Sequence, residues 1–221
     1  MLLSRESALK TQMNPHFIFN VLNSIKAYIY KNEKQNASSY LSDFSDLIRM
    51  FLNMSNQPLI PLVEELNMLN LYINLEAMLL NKDFEFKLDI DKGINQQQIK
   101  IPSLIIQPFV ENAFKHGLHH KAGEKKLTIS IQQIDDSILK IEIEDNGIGR
   151  EATREIQEKS LKTHTSFATS AIEKRIELLS RGNNKVKVET IDLKSENKAK
   201  GTKVIVIIAI QNDKENPNST S

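Results

Sequence analysis

A histidine that directly follows a proline is the residue of this sequence whose type and setting best suit chemistry. It is His16, in the eight residues Asn14 to Val21, which read NPHFIFNV. The apolar spacing around it predicts a long amphipathic helix, in which a proline removes a backbone hydrogen bond at a cost of about 3 kcal/mol. Neutral imidazole is a nucleophile near pH 7. The sequence therefore predicts that a distortion at Pro15 exposes a reactive His16.

A second segment, residues 107–117 with the sequence QPFVENAFKHG, carries groups that suit a nucleotide phosphate. On a helix, Asn112, Lys115 and His116 lie on one face by their i, i+3, i+4 spacing. An amide oxygen is a suitable Mg²⁺ ligand, and a lysine can meet phosphate oxygens. The alternative interpretation is a polar helix end that is capped by Gly117.

A carboxylate followed by alternating glycines forms a third segment, Asp145 to Gly149, with the sequence DNGIG. A carboxylate accepts hydrogen bonds and suits an amino group such as N6 of adenine, while Gly147 and Gly149 let a ring approach the backbone closely. The alternative is a hairpin turn, which Asp-Asn-Gly also favours. A fourth segment is Gly201-Thr202, whose hydroxyl could bond the same carboxylate or a water beside it.

In this order and spacing, the four segments resemble those of the LytS-type sensor histidine kinases, and the resemblance covers residues 7–210. It implies that His16 is the phosphoacceptor, that Asn112 holds Mg²⁺ and that Asp145 reads adenine. It also implies ATP and Mg²⁺ as cofactors, a homodimer, and transfer of the phosphoryl group to an aspartate of a response regulator protein. The residues that it assigns to ATP binding are Asn112, Lys115, His116, Asp145, Gly147, Gly149 and Thr202.

Three positions in these segments sharpen the expected chemistry. Residue 17 is Phe, so no carboxylate directly follows His16, and the imidazole must be oriented by another acceptor or by water. Asn20 lies one turn beyond His16 on the same face and is predicted to position a water that dephosphorylates the response regulator. Pro108 stands four residues before Asn112, where ATP-hydrolysing relatives in the superfamily carry a glutamate. This proline favours transfer to His16 over hydrolysis.

The sequence departs from the family pattern in residues 165–175, which read TSFATSAIEKR and contain no glycine. Ala168 stands where a glycine would allow close approach to the triphosphate, although a helix N-terminus there can still offer N–H groups. This departure leaves a second hypothesis beside the active kinase, a catalytically inactive pseudokinase that serves as a dimeric adaptor. A third, a stand-alone ATPase or serine kinase of the same superfamily, is disfavoured by the His16 segment and by Pro108.

Helical spacing predicts two helices, at 2–31 and 37–54, with a polar break between them. Such a hairpin can bury its apolar stripe against a second copy in a four-helix bundle, so 1–57 is predicted to be the dimerisation and phosphoacceptor domain. Residues 58–211 are predicted to form an α+β two-layer sandwich, for which the resemblance implies the Bergerat (GHKL) type and ATP binding, and 212–221 a disordered tail. The predicted elements of the sandwich are helices at 62–80, 103–116 and 169–181, strands at 84–90, 127–133, 138–144, 185–192 and 202–210, and a polar stretch at 150–167.

Composition excludes several classes of protein. The 221 residues carry a net charge of +1, which gives no reason to expect a nucleic acid partner, and the lack of cysteine excludes disulfides and thiolate metal sites. His116, His119 and His120 lack cysteine or acidic partners, so solvated loop histidines are expected in place of a metal site. No segment is long enough to span a bilayer, and a cytoplasmic location is expected. The chain is then either the cytoplasmic part of a longer membrane-associated sensor or a protein that takes its signal from a sensor partner at the Met1 end.

Overall fold

The computed structural model describes residues 15–80, 83–159, 186–195 and 198–210. These residues form two compact units, one from 15–58 with 66–80 and the other from 59–65 with the described residues from 83 onward. The domain boundary that the sequence predicts after residue 57 stays a prediction. The first part of the helix predicted at 2–31, the helix predicted at 169–181 and the tail at 212–221 lie outside the described residues.

Three helices supply the first unit. Helix α1 is Pro15–Tyr30, helix α2 is Lys34–Ser55, and helix α3 is Leu62–Leu79, of which residues 66–79 belong to this unit. The helices predicted at 37–54 and 62–80 are therefore confirmed. Asn32 turns the chain between α1 and α2 with a φ of 60°, which asparagine adopts more readily than most residues.

The core of this unit follows the helical period. Phe17, Val21 and Ile25 are buried at i, i+4 and i+8 of α1, where one face of the helix repeats. The Phe17 ring lies 4.8 Å from the ring of Tyr72 on α3, and the Tyr40 hydroxyl of α2 donates to the carbonyl of Leu75 at 2.9 Å. The buried side chains of α2 are Ala37, Tyr40, Leu47, Phe51 and Met54. The later part of α3 thus packs against the helical hairpin.

A five-stranded sheet, in the order β2-β4-β5-β7-β6, forms the second unit. Its strands are β2 (Phe84–Ile90), β4 (Lys125–Asp135), β5 (Ile138–Asp145), β6 (Val186–Ser195) and β7 (Lys198–Ala209). The β2–β4 pair is parallel, and the other described pairs are antiparallel. A separate small sheet pairs β1 (Leu59–Pro61) with β3 (Lys100–Pro102). The five predicted strands are confirmed, and so is the α+β fold.

One face of the sheet is apolar and the other is charged, as the period of two predicts. On β5, Leu139, Ile141 and Ile143 are buried, and the alternate side chains pair in a ladder of charges. In that ladder the Lys140 ammonium lies 2.6 Å from Glu142, and Lys203 of β7 lies 2.8 Å from Glu144. The buried face is therefore the one on which the helices of this unit pack.

Two helical segments complete the second unit. Helix α4 (Gln107–Asn112) continues directly into a π-helix (Ala113–Leu118), and helix α5 is Gly149–Lys159. The sequence identifies 150–167 only as a polar stretch, whereas the structure makes its first part helical. The reason is composition, since Glu, Arg, Ala and Gln favour a helix even in a strongly polar segment. Among the described residues, no helix combines the length and the apolar character that crossing a membrane requires.

Candidate functional site

Asp145 is the centre of the candidate site. It is the last residue of β5 and its side chain is only 5% exposed. Its Oδ1 accepts a hydrogen bond of 2.7 Å from the backbone N–H of Gly147, and the backbone N–H of Thr202 also donates to the carboxylate. Burial raises the pKa of Asp145 to about 6, against the opposing effect of those two N–H donors. The site therefore holds a carboxylate that is removed from water and fixed in direction by the backbone.

Two glycines bring the backbone directly against this carboxylate. A Cβ added to Gly117 would lie 2.7 Å from Asp145 Oδ1, and one added to Gly147 would lie at the same distance from that oxygen and would overlap the backbone of Gly117. Any larger residue at either position would force a shift, because real side chains do not approach this closely. Together with Thr202, these residues are called the Asp145 cradle below. A cradle of this kind fits a flat ring that presents an amino group to the carboxylate.

The structure contradicts the alternative interpretations of both glycine-bearing segments. Gly117 was a candidate helix cap, but it lies inside the π-helix and its φ is outside the left-handed region. The Asp145 to Gly149 segment was a candidate hairpin turn, but it joins β5 to helix α5, and β5 pairs with β4 and β7 instead. Long-range packing therefore decided two features for which local patterns gave only alternatives.

Close packing also explains the glycines at 149 and 201. Gly149 has a φ of 79° at the start of α5, and a Cβ there would lie 2.8 Å from the Cβ of Ala199. Gly201 has a φ of 138°, and a Cβ there would overlap the carbonyl oxygen of Asp145. Both positions require glycine, because L side chains rarely adopt these angles. They bring the start of β7, with Thr202, against the end of β5.

The segment that carries Asn112 begins at a buried carboxylate that the sequence analysis did not identify. Glu65, in the first turn of α3, is fully buried, and its Oε1 accepts hydrogen bonds from the backbone N–H groups of Ile106 and Gln107 at 2.6 and 3.2 Å. These N–H groups stand at the N-terminus of α4. Because they lie 41 and 42 residues from Glu65 in sequence, no local pattern could have indicated this contact.

Asn112, Lys115 and His116 are all half-buried. The shift from α-helix to π-helix at Ala113 widens the turn, so the α-helical spacing used to predict their common face holds only as far as Asn112. Burial, with help from Lys115 and His120, lowers the pKa of His116 to about 4, so this imidazole is neutral at pH 7. An amide, an ammonium and a neutral imidazole therefore follow one another along this segment.

Helix α5 is attached to the site by two contacts that sequence reasoning missed. The Thr153 hydroxyl lies 2.7 Å from the carbonyl oxygen of His116 and 2.8 Å from that of Gly149. The Arg150 guanidinium donates two hydrogen bonds, of 2.6 and 2.7 Å, to the Asp192 carboxylate on β6. Arg and Asp at such a separation give no local signal, although bidentate pairing of these two groups is common.

Asn146, in the middle of the DNGIG segment, has a structural task. Its Oδ1 accepts from the backbone N–H of Lys126 at 2.8 Å, and its Nδ2 donates to the carbonyl of Glu124 at 3.2 Å. The amide thereby ties the segment to the start of β4. Asn146 therefore holds the segment in place, while its neighbour Asp145 carries the polar group of the site.

Several predicted residues are not part of this cluster. Asn20 is half-buried on α1, while the side chain of His16 and the segment around Ala168 lie outside the described residues. His119 and His120 are exposed. Within the described ranges, no three His, Cys, Asp or Glu side chains gather at a possible metal position. A Mg²⁺ ion carried by a nucleotide needs only one or two protein oxygens, and the Asn112 amide has the chemistry to supply one.

Two family models match the sequence. A model described as histidine kinase matches residues 4–84. A model described as histidine kinase-, DNA gyrase B- and HSP90-like ATPase matches residues 97–212, more than half of the chain. The second match covers α4, the π-helix, α5 and four of the five strands of the main sheet.

Individual relatives agree with these matches. Sensor protein LytS of Bacillus subtilis is 36% identical over 142 residues, which cover 64% of this chain and 23% of that protein. Sensor histidine kinase BtsS of Escherichia coli K12 is 34% identical over 138 residues, which cover 62% of this chain and 24% of that protein. The alignments thus span about a quarter of the length of these relatives.

A solved structure supports the fold. The histidine kinase domain of a blue-light activated histidine kinase from Erythrobacter litoralis EL346 superposes with a TM-score of 0.52. The superposition covers 93% of this chain and 91% of that one, at 11% sequence identity. At this identity the likeness concerns the arrangement of helices and strands.

Proposed function

This chain belongs to the LytS-type histidine kinases, and we propose that it transfers the γ-phosphoryl group of ATP to His16 and from there to an aspartate of a response regulator. The Asp145 cradle is the observation that carries this proposal. Nothing about the fold alone requires a buried carboxylate whose pKa is raised to about 6 and against which two glycines bring the backbone. Groups held at such a cost to stability are concentrated at functional sites.

The proposed nucleotide lies with its adenine in the Asp145 cradle. The Asp145 carboxylate would accept a hydrogen bond from the N6 amino group, with Gly147, Gly149 and Thr202 beside it. Asn112 would supply an oxygen to Mg²⁺, and when bound this ion neutralises phosphate charge during transfer. Lys115 and the neutral His116 would meet the phosphates from the same helical segment. This assignment is supported by the ATPase family of residues 97–212.

The proposed transfer needs little covalent help from the protein. A ring nitrogen of His16 forms a bond to the γ-phosphorus, the bond from that phosphorus to the ADP oxygen breaks, ADP leaves, and one proton passes to solvent. Phe17, the residue after His16, is 3% exposed and packs on Tyr72, and this contact anchors the start of α1 in the helical unit. Pro108, in place of a water-activating glutamate, supports transfer over hydrolysis.

A homodimer is part of the same proposal. The hairpin exposes apolar side chains along α1, among them Phe19 at 65% and Ile29 at 61%, and along α2, among them Leu52 at 57%. Isolated exposed leucines are common, but a stripe along both helices of one hairpin is typical of an interface. Two copies would bury these stripes in a four-helix bundle. The remaining members of the stripe are Leu22, Tyr30 and Leu41.

The proposed setting of the kinase follows from its substrate and its relatives. The location would be cytoplasmic, because ATP and response regulators are found there. The stimulus would come from a sensor region or sensor partner, by analogy with the sensor proteins LytS and BtsS.

Autophosphorylation with γ-labelled ATP and Mg²⁺ tests the proposal. Wild-type protein is expected to acquire label in an acid-labile linkage, as a phosphorus–nitrogen bond gives, and His16→Gln is expected to acquire none. A matched control is His119→Gln, which removes an exposed histidine of the second unit and should leave labelling unchanged. Equal labelling of wild type and His16→Gln would overturn the assignment of the phosphoacceptor. A folded wild type that binds no nucleotide would favour the inactive adaptor instead.

A further inference from the structure

We propose that Glu65 is a positioning residue for the nucleotide site. It caps helix α4, from which it is distant in sequence, and thereby sets the position of Asn112. This inference rests on the proposed function, since it concerns how that site is built. Glu65 and α4 belong to the same compact unit, so their contact is internal to it. The sequence gives no sign of it, because the two are separated by about forty residues.

The N-terminus of α4 has no cap of its own. Its N-cap residue is Ile106, whose side chain carries no oxygen, and no side-chain cap bond comes from that position. Pro108 lacks an N–H, and the N–H groups of Phe109 and Val110 donate to the carbonyl of Ile106 at 3.0 and 3.3 Å. The donors that remain in the first turn are those of Ile106 and Gln107, and Glu65 Oε1 accepts both. Glu65 thus satisfies the two N–H groups of this turn that have no partner within the helix.

The approach to this cap is held in an unusual conformation. Leu104, two residues before Ile106, has a φ of 54° although it is a leucine and 1% exposed. Such an angle is uncommon for a residue with a branched, bulky side chain, and it persists where the surrounding structure dictates it. The turn at Leu104 leads directly to the two N–H groups that converge on one oxygen. The turn at Leu104 thus presents both N–H groups to the Glu65 carboxylate.

The consequence reaches Asn112 through the helix. Asn112 lies five residues after Gln107 on the same α-helix, about 7.5 Å along its axis, and no proline or glycine interrupts the helix between Pro108 and Asn112. A rigid helix transmits a change of position from its first turn to its last. Removing the acceptor would leave two buried donors unpaired, and the helix would move to satisfy them. Asn112 would then leave the position at which it meets the metal-bound phosphates.

The test compares two substitutions of Glu65 with a control substitution of the neighbouring residue, Glu64. Glu65→Met keeps the length of the side chain and removes the acceptor, Glu65→Gln keeps an oxygen at the same reach, and Glu64→Met is the control on the adjacent, half-exposed residue. Binding of the non-hydrolysable analogue AMP-PNP is measured by calorimetry, once with Mg²⁺ and once with EDTA. Each measurement is made at a temperature at which circular dichroism shows the variant to be folded, so loss of stability alone does not alter the affinity.

The expected result depends on the metal. With Mg²⁺, Glu65→Met should raise the dissociation constant roughly tenfold, Glu65→Gln by about threefold or less, and Glu64→Met should leave it unchanged. With EDTA, the effect of Glu65→Met should largely disappear, because Asn112 then has no metal to hold. In an Asn112→Ala background, adding Glu65→Met should have little further effect, since both changes act through one contact.

Two results would overturn the positioning role of Glu65 and leave the proposed function standing. One is unchanged Mg²⁺-dependent binding by folded Glu65→Met, and the other is an equal loss of affinity with and without Mg²⁺. If Glu65→Met does not fold, Glu65→Asp replaces it, because it draws the carboxylate back by about 1.5 Å and should give an intermediate, Mg²⁺-dependent loss. If the wild type itself fails to bind AMP-PNP, the proposed function is wrong and the role of Glu65 falls with it.

Discussion

Replacing Asp145 by asparagine is expected to stabilise the protein at pH 7 and, at the same time, to weaken nucleotide binding. In the folded state the carboxylate keeps its proton up to about pH 6, whereas in the unfolded chain it releases the proton near its ordinary pKa of 3.8. The folded protein therefore binds more protons between these two values. The free energy of unfolding of the wild type must fall as the pH rises through this window, and above pH 6 the whole penalty is present.

The size of the effect follows from the two pKa values. The interval from 3.8 to about 6 corresponds to about 3 kcal/mol, at ~1.36 kcal/mol for each pH unit. Asparagine cannot ionise and escapes this penalty. It offers one acceptor oxygen in place of two to the N–H groups of Gly147 and Thr202, and this loss lowers the free energy of unfolding by about 1 kcal/mol. Asp145→Asn should thus raise the free energy of unfolding by about 2 kcal/mol at pH 7, and the gain should vanish near pH 4.

Urea unfolding at pH 7 and pH 4 measures this difference, with Asp89→Asn on the exposed side of β2 as the matched control. The control should change neither value by more than a few tenths of a kcal/mol. AMP-PNP binding to Asp145→Asn should weaken at least tenfold or so, because an amide can face adenine N6 with its own N–H groups. A residue with a purely structural task would move stability and binding in the same direction.

The reasoning would be refuted by parallel pH dependences for wild type and Asp145→Asn between pH 4 and 7. That result would mean that the carboxylate does not hold its proton in the folded protein as its burial requires. Unchanged nucleotide binding by the same variant would remove Asp145 from the proposed adenine contact.

Three further predictions concern the site and the hairpin. Gly117→Ala places a Cβ 2.7 Å from Asp145 Oδ1 and should abolish AMP-PNP binding in calorimetry, whereas Gly93→Ala, which has nothing within 4 Å, should not. Phe19→Glu introduces a charge into the exposed stripe of α1 and should convert a dimer to a monomer in light scattering. Ser39→Glu, exposed on the side of α2 away from Leu41 and Leu52, should leave it dimeric. Asn20→Ala should preserve labelling of His16 but slow dephosphorylation of the response regulator, and retention of full phosphatase activity would exclude the proposed water-positioning role.

The elements that the sequence predicted well are those with a strong period. β4 and β5 alternate apolar and polar side chains over their length, and the structure buries every second one, from Leu127 to Ile131 and from Leu139 to Ile143. The helix at 37–54 has clear apolar spacing, the helix at 62–80 is rich in apolar helix formers, and both appear within three residues of the predicted bounds. Each of these signals is local, since it depends on residues a few positions apart.

The features that escaped prediction depend on residues far apart in the chain. Residues 149–159 have a strongly polar composition, and the surfaces on which their helix packs, β7 and the π-helix, are distant in sequence. The π-helix at Ala113–Leu118 and the left-handed Leu104 fit the backbone to neighbours that no local pattern reveals. For the same reason, the sequence allowed both a cap and a close contact at Gly117, and only the packing of Gly117 against Gly147 decided between them.

By itself, the sequence determined which residues have the chemistry of the site: a histidine behind a proline, an amide before a lysine, a carboxylate before alternating glycines. Tertiary structure alone decided which of the residues of the second unit meet. The register of β5 on β7 sets Asp145 opposite Thr202, and the π-helix brings Gly117 to the same carboxylate, while Glu65 holds the helix of Asn112 from forty residues away. The physical reason is that side-chain type and spacing depend on residues a few positions apart. Strand register and buried caps form only when distant segments pack together and exclude water between them.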